Sequence, residues 1–251
     1  GEKIKSLSGT ADVIKYTFGY VDDPEDTGNR PGIYIEFKEP WLNPTGFEEM
    51  VYKELDRLGM NIITQPEPES NPFYVNGKVN TGNTNGKVIL QTFSLESLVR
   101  VAEHFEGKVP MCFLLWKGTG ATDITYDDPL GYASFINLGV KYKAHFIGPC
   151  IAGAPNNYPE LNQPWQDYLI HKAGMKNHPY TFDTYDQMAK YFGQYNFGVE
   201  IDGKYKAPYL DALFTNHSDM SINYMITQGW RKSPASETLV DAKVVLERLG
   251  Y

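Results

Sequence analysis

The sequence predicts an α/β protein with parallel strands wrapped by helices, and among such architectures it favours a TIM (β/α)8-type barrel. Three observations carry this expectation. From residue 33 onward, strand-like and helix-like runs alternate six times. The strand runs are near-continuous apolar stretches, as strands covered on both faces require. No glycine-rich phosphate loop and no G-x-S-x-G elbow follows any strand, which disfavours Rossmann oxidoreductases, P-loop NTPases and α/β-hydrolases. A length of 251 residues also suits one barrel of about 250.

The elements follow in order. Ile33 to Lys38 reads as a strand between Gly32 and Pro40. Thr45 opens a helix with Glu48 placed as in a capping box; Phe47, Met50, Val51, Leu55 and Leu58 form its stripe and Gly59 stops it. Val88 to Phe93 is the second strand, followed by a helix from Ser94 that carries Leu95, Leu98, Ala102 and Phe105 on one face. Met111 to Trp116 is the third strand; a helix over 129–138 leads to the fourth, His145 to Ile151. Trp165 to Ala173 is helical, and Lys176 to Phe182 is the fifth strand. Asp183 caps a helix through Phe192, Leu210 to Thr215 is the sixth strand, and a helix runs from Asp219 to Thr227. A last helix spans Thr238 to Leu249. Two hairpin signals, at Asn76-Gly77 and Asp202-Gly203, lie between a helix and the next strand and read as decoration of the stability face.

Composition narrows the function classes. Apolar residues at 41% and charged residues at 22% describe a folded globular chain. With 23 Lys and Arg against 31 Asp and Glu, the net charge of −8 lacks the basic footprint that nucleic acid needs. The longest apolar run, Met111 to Trp116, is far short of the ~20 residues of a membrane span. Gly1 to Lys5 is polar and leads into no apolar signal-type run. The two cysteines cannot form a disulfide framework; Cys112 and Cys150 either pair or stand as separate buried thiols.

Alternation in the first strand sets Ile33, Ile35 and Phe37 on one face and Tyr34, Glu36 and Lys38 on the other. An acid and a base pointing into a barrel cost several kcal/mol each unless paired, metal-bound or wet. They are either an internal ion pair or a carboxylate metal ligand beside a phosphate-neutralising ammonium.

These residues carry a resemblance. Ile33-Tyr34-Ile35-Glu36-Phe37-Lys38-Glu39-Pro40-Trp41 resembles the glutamate-and-lysine strand of the glycerophosphodiester phosphodiesterase family, in its secreted and periplasmic branch. Leu90-Gln91-Thr92-Phe93-Ser94, His178-Pro179-Tyr180-Thr181 and Phe214-Thr215-Asn216 are similar to later segments of that family, in the same order, across roughly residues 4–230. The resemblance implies a TIM barrel over 1–230, with 231–251 an appended helix. It implies hydrolysis of a glycerophosphodiester to glycerol 3-phosphate and an alcohol, outside the cell or in the periplasm. A bound Ca²⁺ or Mg²⁺ would orient the phosphate, and two histidines would move protons. Carried over by position, Glu36 is the metal ligand and Lys38 a phosphate contact, while Gln91, Phe93 and Tyr180 line the pocket.

The chain departs from that pattern at its start. The family's His-Arg-Gly strand, its Glu-x-Asp metal pair and its His-Asp motif do not occur before Ile33, so neither catalytic His is present and about six of eight strands are expected. A six-strand barrel leaves two open edges, to be completed by a missing upstream segment, by a partner chain or by cover from the first 32 residues. Among the five histidines, His104 and His171 read as helix-surface residues and His145 as structural. His178 shares parity with Tyr180 and lies one layer below it, and His217 follows the last strand on the catalytic face. Asn216 replaces the family's Asp. The competing expectation is therefore a catalytically inactive barrel that holds a polyol phosphate or a glycan on its aromatic loops.

Overall fold

The computed structural model describes residues 33–39, 42, 46–66, 74–75, 78–79, 88–116, 126–155, 158–191, 194–201, 204–208 and 210–229. In chain order these give β1 (Ile33–Glu36), α1 (Phe47–Arg57), β2 (Tyr74–Val75), β3 (Lys78–Val79), β4 (Val88–Thr92), α2 (Leu95–Phe105) and β5 (Met111–Leu115). There follow α3 (Pro129–Lys141), β6 (Phe146–Pro149), α4 (Pro164–Lys172), β7 (Lys176–Asn177), α5 (Tyr185–Tyr191), β8 (Gln194–Ile201), β9 (Lys204–Pro208) and α6 (Ser218–Thr227). The last expected helix, 238–249, lies outside the described residues.

Five strands form one parallel sheet in the order β1-β4-β5-β6-β7, and helices alternate with them. Spatial order follows chain order without the reversal of a doubly wound sheet, which is compatible with a TIM-like arrangement. The two hairpin signals form β2–β3 and β8–β9, each an antiparallel pair outside the main sheet.

The sheet is curled. Strands lie ~4.8 Å apart, so the edges of a flat five-stranded sheet would be separated by about 19 Å. Yet Tyr34 of β1, at one edge, places its Oη 3.1 Å from Nδ1 of His178, just past β7 at the other. Tyr34 also meets Phe214 edge to face at 4.8 Å between ring centroids. The inner face so enclosed carries Tyr34, Ile89, Phe93, Cys112, Leu114, Phe146, Tyr180 and Phe214. The outer face carries Ile33, Ile35, Phe37, Leu90, Met111 and Phe113 against Leu55, Leu98, Val101, Phe105 and Phe135 of the helices. Gly148 of β6 keeps the inner face tight: a Cβ there would stand 2.7 Å from Leu114 Cδ2 and 2.9 Å from Cys112 Sγ. Both cysteines are free and buried.

The expected fifth strand is shorter than the sequence suggests, and the expected sixth, 210–215, forms no strand. The ladder of β7 stops at Asn177, although His178 N and Tyr180 N still donate to Ile147 and Pro149 of β6. Segment 210–215 runs beside this continuation as an extended chain, with Asp211 N donating to Asn177 O at 2.9 Å and Phe214 N to Pro179 O at 3.1 Å. Residues 177 and 179 face this segment, and proline has no N–H to return a bond, so a regular ladder cannot form.

Three helix details are corrected. Glu48 closes no capping box: α1 begins after Gly46 at φ 92, and Thr45 lies outside the described residues. Glu48 is 1% exposed; it accepts from Ser97 Oγ at 2.7 Å and from Arg100 Nε at 2.8 Å, tying α1 to α2. Met50, expected in the stripe, is 59% exposed because it falls on the flank away from α2. Thr184, rather than Asp183, caps α5: its Oγ1 accepts from Gln187 N, and Gln187 Oε1 accepts from Thr184 N. Asp183 instead holds the backbone and side-chain amides of Asn216.

An ionic clasp fixes segment 210–215 from outside. His171 of α4 places Nε2 2.8 Å from Asp211 Oδ2 and Nδ1 3.2 Å from the fully buried Asp167. Asn177 donates its N–H to Asp211 and its Nδ2 to Asp167, and Lys176 stands 3.8 Å from Asp211. His171, read from sequence as a helix-surface residue, is therefore a structural cation.

Two stability predictions follow from these contacts. R100A strands a covered carboxylate and is expected to cost about 3 kcal/mol in urea unfolding at pH 7, whereas E48Q costs about 1 kcal/mol. The R100A deficit shrinks toward pH 4 as Glu48 takes a proton. Burial works against the His171 imidazolium, but hydrogen bonds to Asp167 and Asp211 and their charges outweigh it and push its pKa up to about 9. A raised histidine contributes stability that is complete below the unfolded value of ~6.5 and is lost as pH rises through about 9. Unfolding free energy should fall between pH 6.5 and 9.5 by on the order of 2–3 kcal/mol more in the native protein than in H171N.

Candidate functional site

The C-terminal ends of the parallel strands gather the polar and aromatic groups, at the end of an α/β sheet where ligands bind. Glu36 ends β1, and its register partner Gln91 lies buried near the end of β4. Gln91 shares inner-face parity with Ile89 and Phe93. Phe93 meets Tyr180 edge to face at 5.8 Å between ring centroids. These rings come from strands at separate places in the sheet, so the contact is made across the curl. Tyr158, after β6, meets Tyr180 at 6.0 Å, and Trp116, after β5, meets Tyr158 at 6.5 Å. Tyr180 Oη donates to Leu115 O at 3.0 Å, which fixes its ring.

Glu36 is the electrostatically strained member. Its Oε1 is shielded from solvent and has no hydrogen-bond partner. Burial pushes its carboxyl pKa up, and the charge of Lys38 pulls it partly back. Lys38 is exposed on the rim, two residues further along the same parity.

The histidines divide sharply. His178 is 2% exposed, stacks on Phe146 at 4.0 Å and has its Nε2 shielded without a partner. Burial drives its pKa down to about 3, so it is neutral at ordinary pH and has no proton of the right acidity to give a leaving group. His145 likewise is neutral, with a pKa held near 4 by burial, and its Nδ1 accepts from Met111 N. His217 is exposed at the start of α6, where its backbone N–H donates to Thr215 Oγ1.

The structure thus brings Glu36, Gln91, Phe93 and Tyr180 to one end of the curled sheet and sets Lys38 at its rim. It places His178 beneath them as packed core and His217 on an exposed helix start. Trp116 and Tyr158 join this end without having been singled out; their positions, one residue past strand 111–115 and in the segment that follows 146–149, were the available signal. Tyr34, passed over as a neighbour of Glu36, is the residue that reaches across to His178 and Phe214.

Among the described residues no group of three or more His, Cys, Asp and Glu is gathered where it could hold a metal ion. Glu36 is a single hard donor, whereas Ca²⁺ takes 6–8 oxygens and Mg²⁺ an octahedron. The described residues do not fit such an ion. No helix among them is long and apolar enough to cross a membrane. No protein-family model matches the chain, and no curated protein matches it.

The burial of Glu36 yields a prediction. A carboxyl whose folded pKa is raised contributes stability at low pH that is lost as pH rises through the folded value, so the ionised form strains the fold at pH 7. E36Q is expected to raise the melting temperature by a few degrees at pH 7 and to leave it unchanged near pH 4; a lower melting temperature at pH 7 would contradict the strained placement.

Proposed function

We propose that this chain is part of a glycerophosphodiester phosphodiesterase-like barrel that binds a glycerophosphodiester at the C-terminal end of its sheet and serves its hydrolysis to glycerol 3-phosphate and an alcohol. The observation that carries the reading is Glu36: a desolvated, unpartnered carboxylate oxygen at the end of β1, with Lys38 beside it. A buried charge without a partner is costly, and such cost is kept where a ligand relieves it. Lys38 is the point charge for the phosphate, and Gln91 is an amide for ligand oxygens. Phe93 and Tyr180 exclude water on the far side. The divalent cation and the proton-moving histidines that the resemblance implies come from outside the described residues, and so do the strands that close the barrel. An extracellular or periplasmic site of action belongs to the same reading.

A second reading has its own support. His178 is neutral and packed in the core, so it supplies no general acid to this end. The same end would then hold a polyol phosphate or glycan without cleaving it.

Glycerol 3-phosphate release from glycerophosphocholine by the native protein, with calcium and with chelator, separates the two. The first reading expects release that chelator abolishes and E36Q lowers at least about a hundredfold, the scale of losing a group that organises phosphate charge. Saturable binding without release favours the second reading. Absence of both binding and release would refute both.

A further inference from the structure

We propose that segment 210–215 is a proton-locked strap: the His171 imidazolium, held between Asp167 and Asp211, pins it to the chain beyond β7, and loss of that proton frees Asp211 and lifts the strap from Asn177 and His178.

The lock follows from counting donors. Nδ1 of His171 stands 3.2 Å from Asp167 Oδ2, and Nε2 stands 2.8 Å from Asp211 Oδ2. Ionised carboxylates only accept hydrogen bonds, so both contacts are satisfied only when both ring nitrogens carry a proton. A neutral imidazole has one N–H and must turn a lone pair toward one of the two carboxylates. Asp167 keeps the remaining N–H, because it is fully buried and a buried charge that loses its partner is costly. The Asp211 side chain is 18% exposed and can turn toward water and toward Lys176, 3.8 Å away. The proton on Nε2 therefore passes to solvent, and Asp211 is the partner released.

The titratable groups that face the lock leave this balance to the two carboxylates. Asp167 lies on the same helix as His171, Asp211 lies on the strap, and Lys176 of β7 faces Asp211. Tyr132 of α3 senses Asp167, but burial pushes its phenol well up and keeps it neutral. His178 senses Asp211 and Lys176, and burial keeps it neutral as well. Burial opposes the imidazolium, and the bonds and charges of the two aspartates outweigh it. The lock thus weakens upward from the ordinary value of ~6.5 and is gone above about 9.

The strap is weakly held once the lock is gone. Its backbone reaches Asn177 O through Asp211 N and Ala212 N, and Pro179 O through Phe214 N. Pro179 has no N–H to return. The Asp211 carboxylate adds the bond from Asn177 N at 2.8 Å, so the clasp is a large part of the attachment at that end. Leu210 and Leu213 stay packed against the cluster of Ile151, Phe182 and Met188, so the strap rolls about these anchors instead of dissociating. Phe214, which Tyr34 meets edge to face, rides on the same strap, and the lock thereby governs the closure of the curl. Opening is also favoured from inside. His178 Nε2 is shielded without a partner while the strap is down, and water admitted beneath a lifted strap satisfies it.

Hydrogen exchange followed by NMR on the native protein reads the strap directly, because the Asn177 amide donates to Asp211. Its protection, corrected for the intrinsic exchange rate, is expected to fall about a hundredfold between about pH 6 and about pH 9.5. At each pH it should lie well below the protection of Leu90, whose amide donates to Pro110 O inside the sheet. Low urea should leave the Asn177 rate unchanged, since a rolling strap exposes little surface. In H171N the Asn177 protection should start low and stay flat with pH. Equal protection of Asn177 and Leu90 overturns the proposal, because the strap then leaves only when the whole molecule unfolds. A lower Asn177 protection that ignores pH overturns it too, and neither result depends on a variant folding. An H171N protein that keeps the native pH slope would likewise overturn it.

Discussion

The contact of Tyr34 with His178 and Phe214 is the constraint from which the rest of the structure follows. It joins the first strand of the sheet to the chain beyond the last, and a flat sheet could not make it. Because the sheet curls, the odd and even positions of each strand acquire different fates. One set packs under the helices, while the other is turned onto itself and must fill a narrow interior. Tyr34 is suited to the junction: its ring packs against Phe214, and its hydroxyl satisfies a histidine nitrogen that would otherwise be stranded among aromatic rings. Burial pushes the Cys112 thiol up to about 12, so it stands beside Tyr34 as a neutral small group that fills space without adding charge.

Polar fastenings on the outside hold this curl. Glu48 and Arg100 bind the two helices that flank β1 and β4, while His171 and its two aspartates bind the chain that runs beside β7. Among the described residues, the first lies toward the β1 side of the sheet and the second toward its β7 side. The clasp at Asp211 is needed most where Pro179 withholds a hydrogen bond, so side-chain ion pairing supplies there what the backbone cannot.

The sequence reveals the parts of this fold that are written locally. Apolar runs punctuated by Gly and Pro disclosed the strands, and the helix read from Ser94 does start there, with the Ser94 side chain accepting from Ser97 N. Parity in the first strand separated Ile35 from Glu36 correctly because alternation is a property of neighbouring residues. What stayed hidden depends on partners far along the chain. Glu48 looks like a capping-box residue until Arg100, 52 residues later, is seen to bind it. His171 looks like a surface residue until Asp211 arrives from 40 residues downstream. Phe93 and Tyr180 were both legible as pocket candidates, but their edge-to-face contact, and the run of rings through Tyr158 to Trp116, exists only once the sheet has curled. The family resemblance pointed to Glu36 as a metal ligand, and the described residues give that carboxylate no companions.

Gly148 has a consequence for how deep anything can travel inside the curl. Where a single added methyl would strike Leu114 and Cys112, the inner face has no spare room at that level of β6. Thiol reagents meet the same crowding, since Cys112 is fully buried against that glycine, so slow alkylation of the cysteine would gauge how often the molecule breathes.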